Sequence, residues 1–138
     1  MKKVIIDANG LISFVTDRDI DQQLKIARLL EEGAQLKITI FCHHHVLSEF
    51  VYVLQTVYHC QHQKIHDMVS NFISMPGIVL TTDVDMTFVL AYWPSVIQDY
   101  GDAVIAAQCK IIKGSSIVTF DKKFKNNLQK LGLPIYEL

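Results

Sequence analysis

The chain has 138 residues, of which half are hydrophobic and a fifth are charged, and its formal net charge is −1. This composition is typical of a single globular domain with a buried core, and it excludes an intrinsically disordered chain. The near-neutral charge does not point to nucleic acid, although a small enzyme that acts on RNA need not be basic overall.

The cysteines and the apolar runs indicate where such a chain resides. Cys42, Cys60 and Cys109 form no CxxC pair and are odd in number, which argues against a disulfide framework and for a reducing cytoplasm. The apolar run after Lys3 stops at Asp7, too early for a signal peptide. No apolar run approaches the roughly 20 residues that span a bilayer. We therefore expect a cytoplasmic protein with no membrane association.

Short apolar strands alternate with helices along the chain. In order, the patterns predict a strand over 3–6, a turn over 7–10, a short helix from Leu11, a helix over 22–32 ended by Gly33, a strand over 36–41, a helix over 43–59, a helix over 63–73, a strand over 78–80, a helix capped by Thr82 and Asp83 and ending at Trp93, a helix over 102–112, a strand over 116–120, a helix over 122–131 and a last strand over 134–136. This alternation predicts an α/β fold in one domain, with a mostly parallel β-sheet flanked by helices on both faces.

Apolar spacing also predicts which helix faces are buried. In the helix over 22–32 the inward positions are Leu24, Ala27, Leu29 and Leu30. In the helix over 43–59 they are Val46, Phe50, Val53, Leu54 and Val57. The second helix carries a further apolar face at Leu47, Val51 and Tyr58. Such a surplus fits either a subunit interface or a helix buried on both sides.

Four acidic residues stand at the edges of apolar segments, far apart in the chain: Asp7, Glu49, Asp102 and Asp121. Asp7 and Asp121 each follow a predicted strand, and the carboxyl ends of parallel strands meet at one edge of a sheet. Two carboxylates at ~4 Å repel each other by about 4 kcal/mol at an effective dielectric near 20. A divalent cation would offset that repulsion, and acidic oxygen ligands suit Mg²⁺ or Mn²⁺.

Each acid also has an ordinary structural interpretation. Asp7 and Asp121 are suited to cap the helices that follow them, and Asp99 and Asp102 have the N-cap and N3 spacing of a helix start. Glu49 fits an exposed helix position. Capping explains each acid separately, but it gives no reason for all four to lie near one edge.

The motifs around these acids resemble the PIN-domain ribonucleases, and most of all the small VapC-type toxins of toxin–antitoxin pairs. They are DAN at 7–9, SEF at 48–50, GDAVIAA at 101–107 and VTFDKKF at 118–124, and the resemblance covers essentially the whole chain. It implies a metal-dependent endoribonuclease whose acidic quartet, Asp7, Glu49, Asp102 and Asp121, binds Mg²⁺ or Mn²⁺. It also implies that Asn9 and Thr119 support the site, that an antitoxin protein is the partner, and that the chain forms a homodimer.

Two positions depart from the family pattern. Ala8 and Asn9 stand where family members often carry Thr or Ser, although the Asn9 amide can still donate and accept hydrogen bonds. In the DYGD stretch, Asp99 is an alternative to Asp102. We favour Asp102 because the apolar DAVIAA run follows it directly.

Basic residues and histidines add weaker signals. Lys122, Lys123 and Lys125 form a basic cluster next to Asp121, which either guides an RNA backbone or is a solvated helix face. Three consecutive histidines over 43–45 point in different directions on a helix and do not form a metal site alone. His62 and His66 have the spacing of a zinc pair, but no further ligands with zinc-finger spacing accompany them.

Three other functions use a similar fold or similar acids. A haloacid-dehalogenase-type phosphatase needs a second acid where this chain has Asn9. A phospho-receiver domain needs an acid at the end of a central strand, but the predicted strand over 36–41 is followed by Cys42. A catalytically silent PIN fold that binds protein or RNA is opposed only by the intact quartet.

Overall fold

The computed structural model describes all 138 residues and contains seven helices and four strands. In chain order the elements are β1 (Lys2–Ile6), α1 (Ala8–Val15), α2 (Ile20–Ala34), β2 (Ile38–His43), α3 (His44–Thr56), α4 (His62–Ile73), β3 (Ile78–Thr81), α5 (Met86–Tyr92), α6 (Tyr100–Ile111), β4 (Ser115–Val118) and α7 (Lys122–Leu131).

The four strands form one sheet in the order β3-β2-β1-β4, and all neighbouring pairs are parallel. β1 is therefore central and pairs with both β2 and β4. Its residues Val4, Ile5 and Ile6 are all at most 1 % exposed. Successive side chains of a strand point to opposite faces of a sheet, so both faces at β1 are covered. The predicted α/β fold is confirmed, and the sheet is parallel throughout.

The start of α1 differs from the sequence prediction. The segment over 7–10 was predicted as a turn, but Ala8, Asn9 and Gly10 form the first turn of α1, and the Asp7 carboxylate accepts a hydrogen bond from the Gly10 amide at 2.8 Å. Helix formation satisfies backbone groups that a free turn would leave exposed, because the aspartate supplies the cap.

The two long helices also differ from their predicted burial. Leu24 was expected to face inward but is 52 % exposed, and Ile26 takes the fully buried position. Gly33 was expected to end α2, yet it lies inside the helix, packed against Ile40. In α3 the helix ends at Thr56, so Val57 falls outside it and is 63 % exposed.

Two predictions after β2 were wrong in part. The cap of α5 is Asp85, whose carboxylate accepts from the Phe88 amide, and not Thr82 or Asp83. The last predicted strand, over 134–136, is reduced to a single bridge between Ile117 and Ile135 beside β4. No helix combines the length and the apolar character needed to cross a membrane.

The sheet register places the first and last motifs side by side. Ile6 of β1 pairs with Val118 of β4, so the next residues on each strand, Asp7 and Thr119, emerge together at the carboxyl edge. β1, β2 and β4 are neighbouring parallel strands, so α1, α3 and α7, which follow them, also begin at this edge.

Candidate active site

Asp7 lies at the centre of this edge. Its side chain is buried, with 4 % exposure, and it accepts hydrogen bonds from the Gly10 amide and from the Thr119 hydroxyl. Burial nevertheless raises the pKa of Asp7 to about 6, and the charges of Asp121 and Glu49 act in the same direction. Burial therefore outweighs the two hydrogen bonds, because a desolvated carboxylate is costly to ionise.

Asp121 approaches from β4 and combines two tasks. Its Oδ1 accepts hydrogen bonds from the amides of Lys123 at 2.9 Å and Phe124 at 3.2 Å, which caps α7. Its own amide donates to the Thr119 hydroxyl at 3.1 Å. Both cap bonds use Oδ1, so the cap does not prevent Oδ2 from acting as a ligand.

Asp102 and Asp99 belong to the start of α6 and have different roles. Asp99 is the exposed N-cap, and its Oδ1 accepts a hydrogen bond from the Asp102 amide at 2.9 Å. Asp102 lies in the first turn, and burial together with the charges of nearby acids raises its pKa to about 8. Each charged group that shifts this pKa is itself an acid: Asp99, Asp7, Asp121 and Glu49.

Glu49 enters from the second turn of α3 and is held by a histidine. Its Oε1 lies 2.8 Å from Nε2 of His45, one helical turn earlier, and 44 % of the Glu49 side chain remains exposed. Tyr100 packs edge-on against the His45 ring, with centroids 6.2 Å apart. A Cβ on Gly101 would overlap Glu49 Oε1 and come within 2.7 Å of His45 Nε2, so only glycine fits at that position without displacing the pair.

The structure thus brings the four predicted acids into one electrostatic environment, although they lie up to 114 positions apart, from residue 7 to residue 121. Their side chains do not yet form a closed ligand shell, because no group of three or more His, Cys, Asp or Glu side chains is arranged to hold a metal ion. Glu49 is drawn to His45 and Asp121 to α7. The four carboxylates are close enough for their charges to interact, but their oxygens do not converge on one point.

Of the two residues predicted to support the site, Thr119 is hydrogen bonded to the acids and Asn9 is not. Thr119 is buried and contacts both Asp7 and Asp121. Asn9 is exposed and lines a polar groove beside Asp121. Of the three lysines, Lys122 and Lys123 are exposed at the start of α7, and Lys123 Nζ donates to Gln98 Oε1 at 3.1 Å.

His43 serves the structure near the site. Its Nδ1 accepts from the His45 amide at 3.0 Å, so its Nε2 donates to the Asp83 carbonyl, also at 3.0 Å. Burial lowers the pKa of His43, in agreement with this neutral form. The histidine ties the end of β2 to the segment after β3.

Sequence analysis missed His45 and Gly101. The signal for His45 was its spacing of four residues from Glu49, which places both on one helix face. Gly101 gave no such signal, because a glycine beside a helix cap is ordinary and its contact with Glu49 joins two distant helices.

Comparisons with known proteins identify a sequence family and a similar fold. The sequence model of the family described as PIN domain matches residues 4–127. Among solved structures, the chain is similar to one described as VapBC2 from Rickettsia felis bound to a DNA fragment from their promoter, with 16% identity, a TM-score of 0.67, and coverage of 97% of each chain. At this identity the likeness shows a shared fold. No curated protein matches the chain.

Proposed function

Because the chain belongs to the PIN domain family, we propose that it is a metal-dependent endoribonuclease that hydrolyses RNA phosphodiester bonds. Asp7, Glu49, Asp102 and Asp121 are assigned as the acids that bind Mg²⁺ or Mn²⁺. The observation that carries the proposal is the state of Asp102, whose pKa lies at about 8 because of burial and of four neighbouring acids. An arrangement that destabilises its own ionised form calls for a cation.

The donor set fits a hard divalent cation. All four assigned ligands are carboxylates, which Mg²⁺ and Mn²⁺ prefer over nitrogen or sulfur. The buried Asp7, held by Gly10 and Thr119, provides a fixed anchor. Glu49, Asp102 and Asp121 are partly exposed and complete the set.

The residues divide the work of phosphodiester hydrolysis. When bound, the cation lowers the pKa of a water molecule and stabilises charge on the leaving oxygen. Asp7 and Asp102 bind the cation, and Thr119 orients the Asp7 carboxylate. We assign the orientation and deprotonation of the attacking water to Glu49, because it is half-exposed and hydrogen bonded to His45.

The direct test is cleavage of labelled RNA by the purified protein with Mg²⁺, with Mn²⁺ and with EDTA. We expect cleavage only with metal, and its loss by a factor of at least about a thousand in Asp102→Asn, since ligand removal abolishes water activation. Asp85→Asn is the matched control, because it makes the same change at a helix cap of α5. Full activity of Asp102→Asn would disprove the assignment.

The leading alternative is a catalytically silent PIN fold that binds RNA or protein. Calorimetric titration with Mn²⁺ separates the two when cleavage is absent. Mn²⁺ binding by the wild type that is lost in Asp102→Asn would support the proposed metal site. Absence of Mn²⁺ binding in both proteins would support the catalytically silent fold.

We further propose that the nuclease is the toxin of a toxin–antitoxin pair in the cytoplasm. The similar solved structure is described as VapBC2 bound to promoter DNA, which supports a protein partner. A cavity of 320 Å³ lies between α1, α3 and α4, and nine of its ten lining residues are hydrophobic. An apolar segment of an antitoxin fits such a surface.

A homodimer is part of the same proposal. α3 leaves Tyr52 65 % exposed, and Val57 and Tyr58 beyond its end are also accessible, which provides apolar surface for a second copy. Expression in a bacterial host tests the toxin role: growth arrest by the wild type and not by Asp102→Asn is expected. Growth unaffected by either protein would argue against a toxin.

A further inference from the structure

A polar groove runs along one side of the acidic site. It has a volume of 410 Å³ and is lined by Asn9, Arg18, Asp19, Gln22, Phe120 and Asp121. Asp121 is one of the proposed metal ligands, so the groove is continuous with the acids. Arg18 and Phe120 have no part in the site described so far.

Arg18 is exposed, yet its guanidinium is fixed. Nη2 donates to the Asn9 carbonyl at 3.0 Å and to the Ser13 hydroxyl at 2.8 Å, and Nε donates to the same hydroxyl at 3.2 Å. Ser13 is fully buried and donates in turn to Gln22 Oε1 at 2.8 Å. An exposed arginine ordinarily samples many rotamers, so these bonds lower the entropy cost of binding a ligand.

The charge of Arg18 is not neutralised within the protein. The ion pairs of the structure join Lys25 to Asp21, His45 to Glu49 and His66 to Asp67. The neighbouring Asp19 uses its carboxylate to cap α2 through the Gln22 amide at 3.0 Å. Nη1 of Arg18 donates to no protein atom. A fixed guanidinium with two free donors is suited to a phosphate.

Phe120 provides the second element of the groove. It is half-buried, and it stands between Thr119 and Asp121 in the chain, so its position is set by the same strand end that sets the acids. Single-stranded nucleic acids are bound by cations that contact the backbone and by aromatic rings on which bases stack. Arg18 and Phe120 supply one of each in a single groove.

We propose that this groove is a nucleotide subsite, in which Arg18 binds an RNA backbone phosphate next to the scissile one and Phe120 stacks on a base. The inference rests on the proposed ribonuclease function, because the ligand is the same strand. It adds a contact that does not depend on metal. Since a phosphate contact and a stacking contact both tolerate any base, the subsite positions the strand and does not read its sequence.

The test measures RNA binding in the Asp102→Asn background, in which the strand stays intact. A fluorescein-labelled single-stranded RNA pool of random sequence is titrated at several salt concentrations with Mg²⁺ present. Arg18→Gln is expected to weaken binding about tenfold and to reduce the salt slope by about 0.7, the value for one single-strand phosphate contact. Phe120→Leu is expected to weaken binding about fivefold or more without changing the slope.

Two further variants serve as controls. Arg28→Gln removes the same charge from an exposed position of α2, and it should leave the slope unchanged. Arg18→Lys keeps the charge and loses the fork that holds it, so it should weaken binding while retaining most of the slope. It also provides a result if Arg18→Gln fails to fold, which thermal unfolding would reveal.

Equal affinity and slope for the Arg18→Gln and Arg28→Gln proteins would overturn the subsite and leave Arg18 as a brace between α1 and α2. A loss of slope in Arg18→Lys as large as that expected for Arg18→Gln would also overturn it, since the charge would be unchanged. Failure of the proposed function has a different signature. In that case the parent protein binds no RNA and the wild type shows no metal-dependent cleavage.

Discussion

The acidic site has an inner pair, Asp7 and Asp102, and an outer pair, Glu49 and Asp121. The two pairs differ in their pKa shifts and in their hydrogen bonds. Burial and neighbouring acids raise the pKa values of the inner pair to about 6 and about 8. The outer pair is hydrogen bonded to His45 or to the start of α7, and 44 % of the Glu49 side chain is exposed. Ionisation of the inner pair therefore destabilises the folded protein, whereas the carboxylates of the outer pair are held by hydrogen bonds to neighbouring groups.

This difference shows how one edge can be both stable and prepared for a ligand. Asp7 directly follows β1 as the N-cap of α1, and Asp102 lies in the first turn of α6. Glu49 reaches the site from the second turn of α3, and Asp121 reaches it from the start of α7. A site whose four acids were all buried would destabilise the fold further, whereas four exposed acids would bind a cation weakly.

The largest expected effect is on stability, and it tests the inner pair. An acid whose pKa is raised by folding contributes stability in full below its unfolded pKa of 3.8, and that contribution is lost as the pH rises through its folded pKa. For Asp7 the shift to about 6 corresponds to about 3 kcal/mol. Asp7→Asn keeps the helix cap, so in EDTA it should become more stable relative to wild type as the pH rises from 4 to 7.

Urea unfolding at a series of pH values measures this change. The same experiment on Asp102→Asn should show a rise that continues to about pH 8, because the pKa of Asp102 lies there. Addition of Mg²⁺ should stabilise the wild type above pH 7 and leave both variants unaffected. A pH-independent difference between Asp7→Asn and wild type would show that the inner pair is not desolvated.

A smaller effect is expected when Glu49 of the outer pair is displaced without removing any charge. In Gly101→Ala the new methyl group would overlap Glu49 Oε1 and press on His45 Nε2. We expect cleavage to fall about tenfold or more, since misplacement by about 1 Å can reduce rates a hundredfold.

Gly33→Ala is the matched control for this variant. It also places a methyl group in a helix too close to a neighbour, at 2.8 Å from Ile40 Cδ1, but away from the acids. Its stability should fall while its cleavage rate at a permissive temperature stays near that of wild type. Similar cleavage losses in both proteins would attribute the effect of Gly101→Ala to folding and not to Glu49.

The smallest effects are expected at the basic cluster on the outer side. Lys122 is exposed and makes no hydrogen bond through its side chain, and Lys123 contacts only Gln98. Lys122→Gln should weaken RNA binding only about twofold, because a flexible, solvated ammonium gains little from one phosphate. A tenfold loss, measured by the same salt-dependent titration, would place the main phosphate contact on α7.

Much of the fold was predictable from short-range patterns. The VII run of β1 and the SIV run of β4 are apolar on every residue or nearly so, which indicates strands buried on both faces. Caps such as Asp99 and Asp121 marked helix starts. The errors arose where tertiary contacts override local pattern. Leu24 has helical spacing but faces solvent, and Asp7 converts a turn-like DANG segment into helix.

The candidate site was predictable as a set of residues but not as a geometry. Asp7, Glu49, Asp102 and Asp121 can be named from strand ends, helix starts and the family resemblance. Their roles as inner and outer acids depend on burial, which no single-residue pattern reports. The His45–Glu49 contact is local to α3, whereas the contacts of Gly101 with both residues join two distant helices and are visible only in the folded structure.

Local patterns were enough to predict an α/β fold with acids at the ends of its elements, because strand periodicity, helix caps and apolar runs are properties of short segments. The sheet register and helix packing, in contrast, were needed to show that Asp7 and Thr119 leave adjacent strands together and that α3 and α6 bring Glu49 and Gly101 into contact. The physical reason is that desolvation, charge coupling and steric fit depend on groups far apart in the chain. Those properties raise the pKa of Asp102, and they leave Arg18 as a fixed cation without an ion-pair partner in the groove beside Asp121.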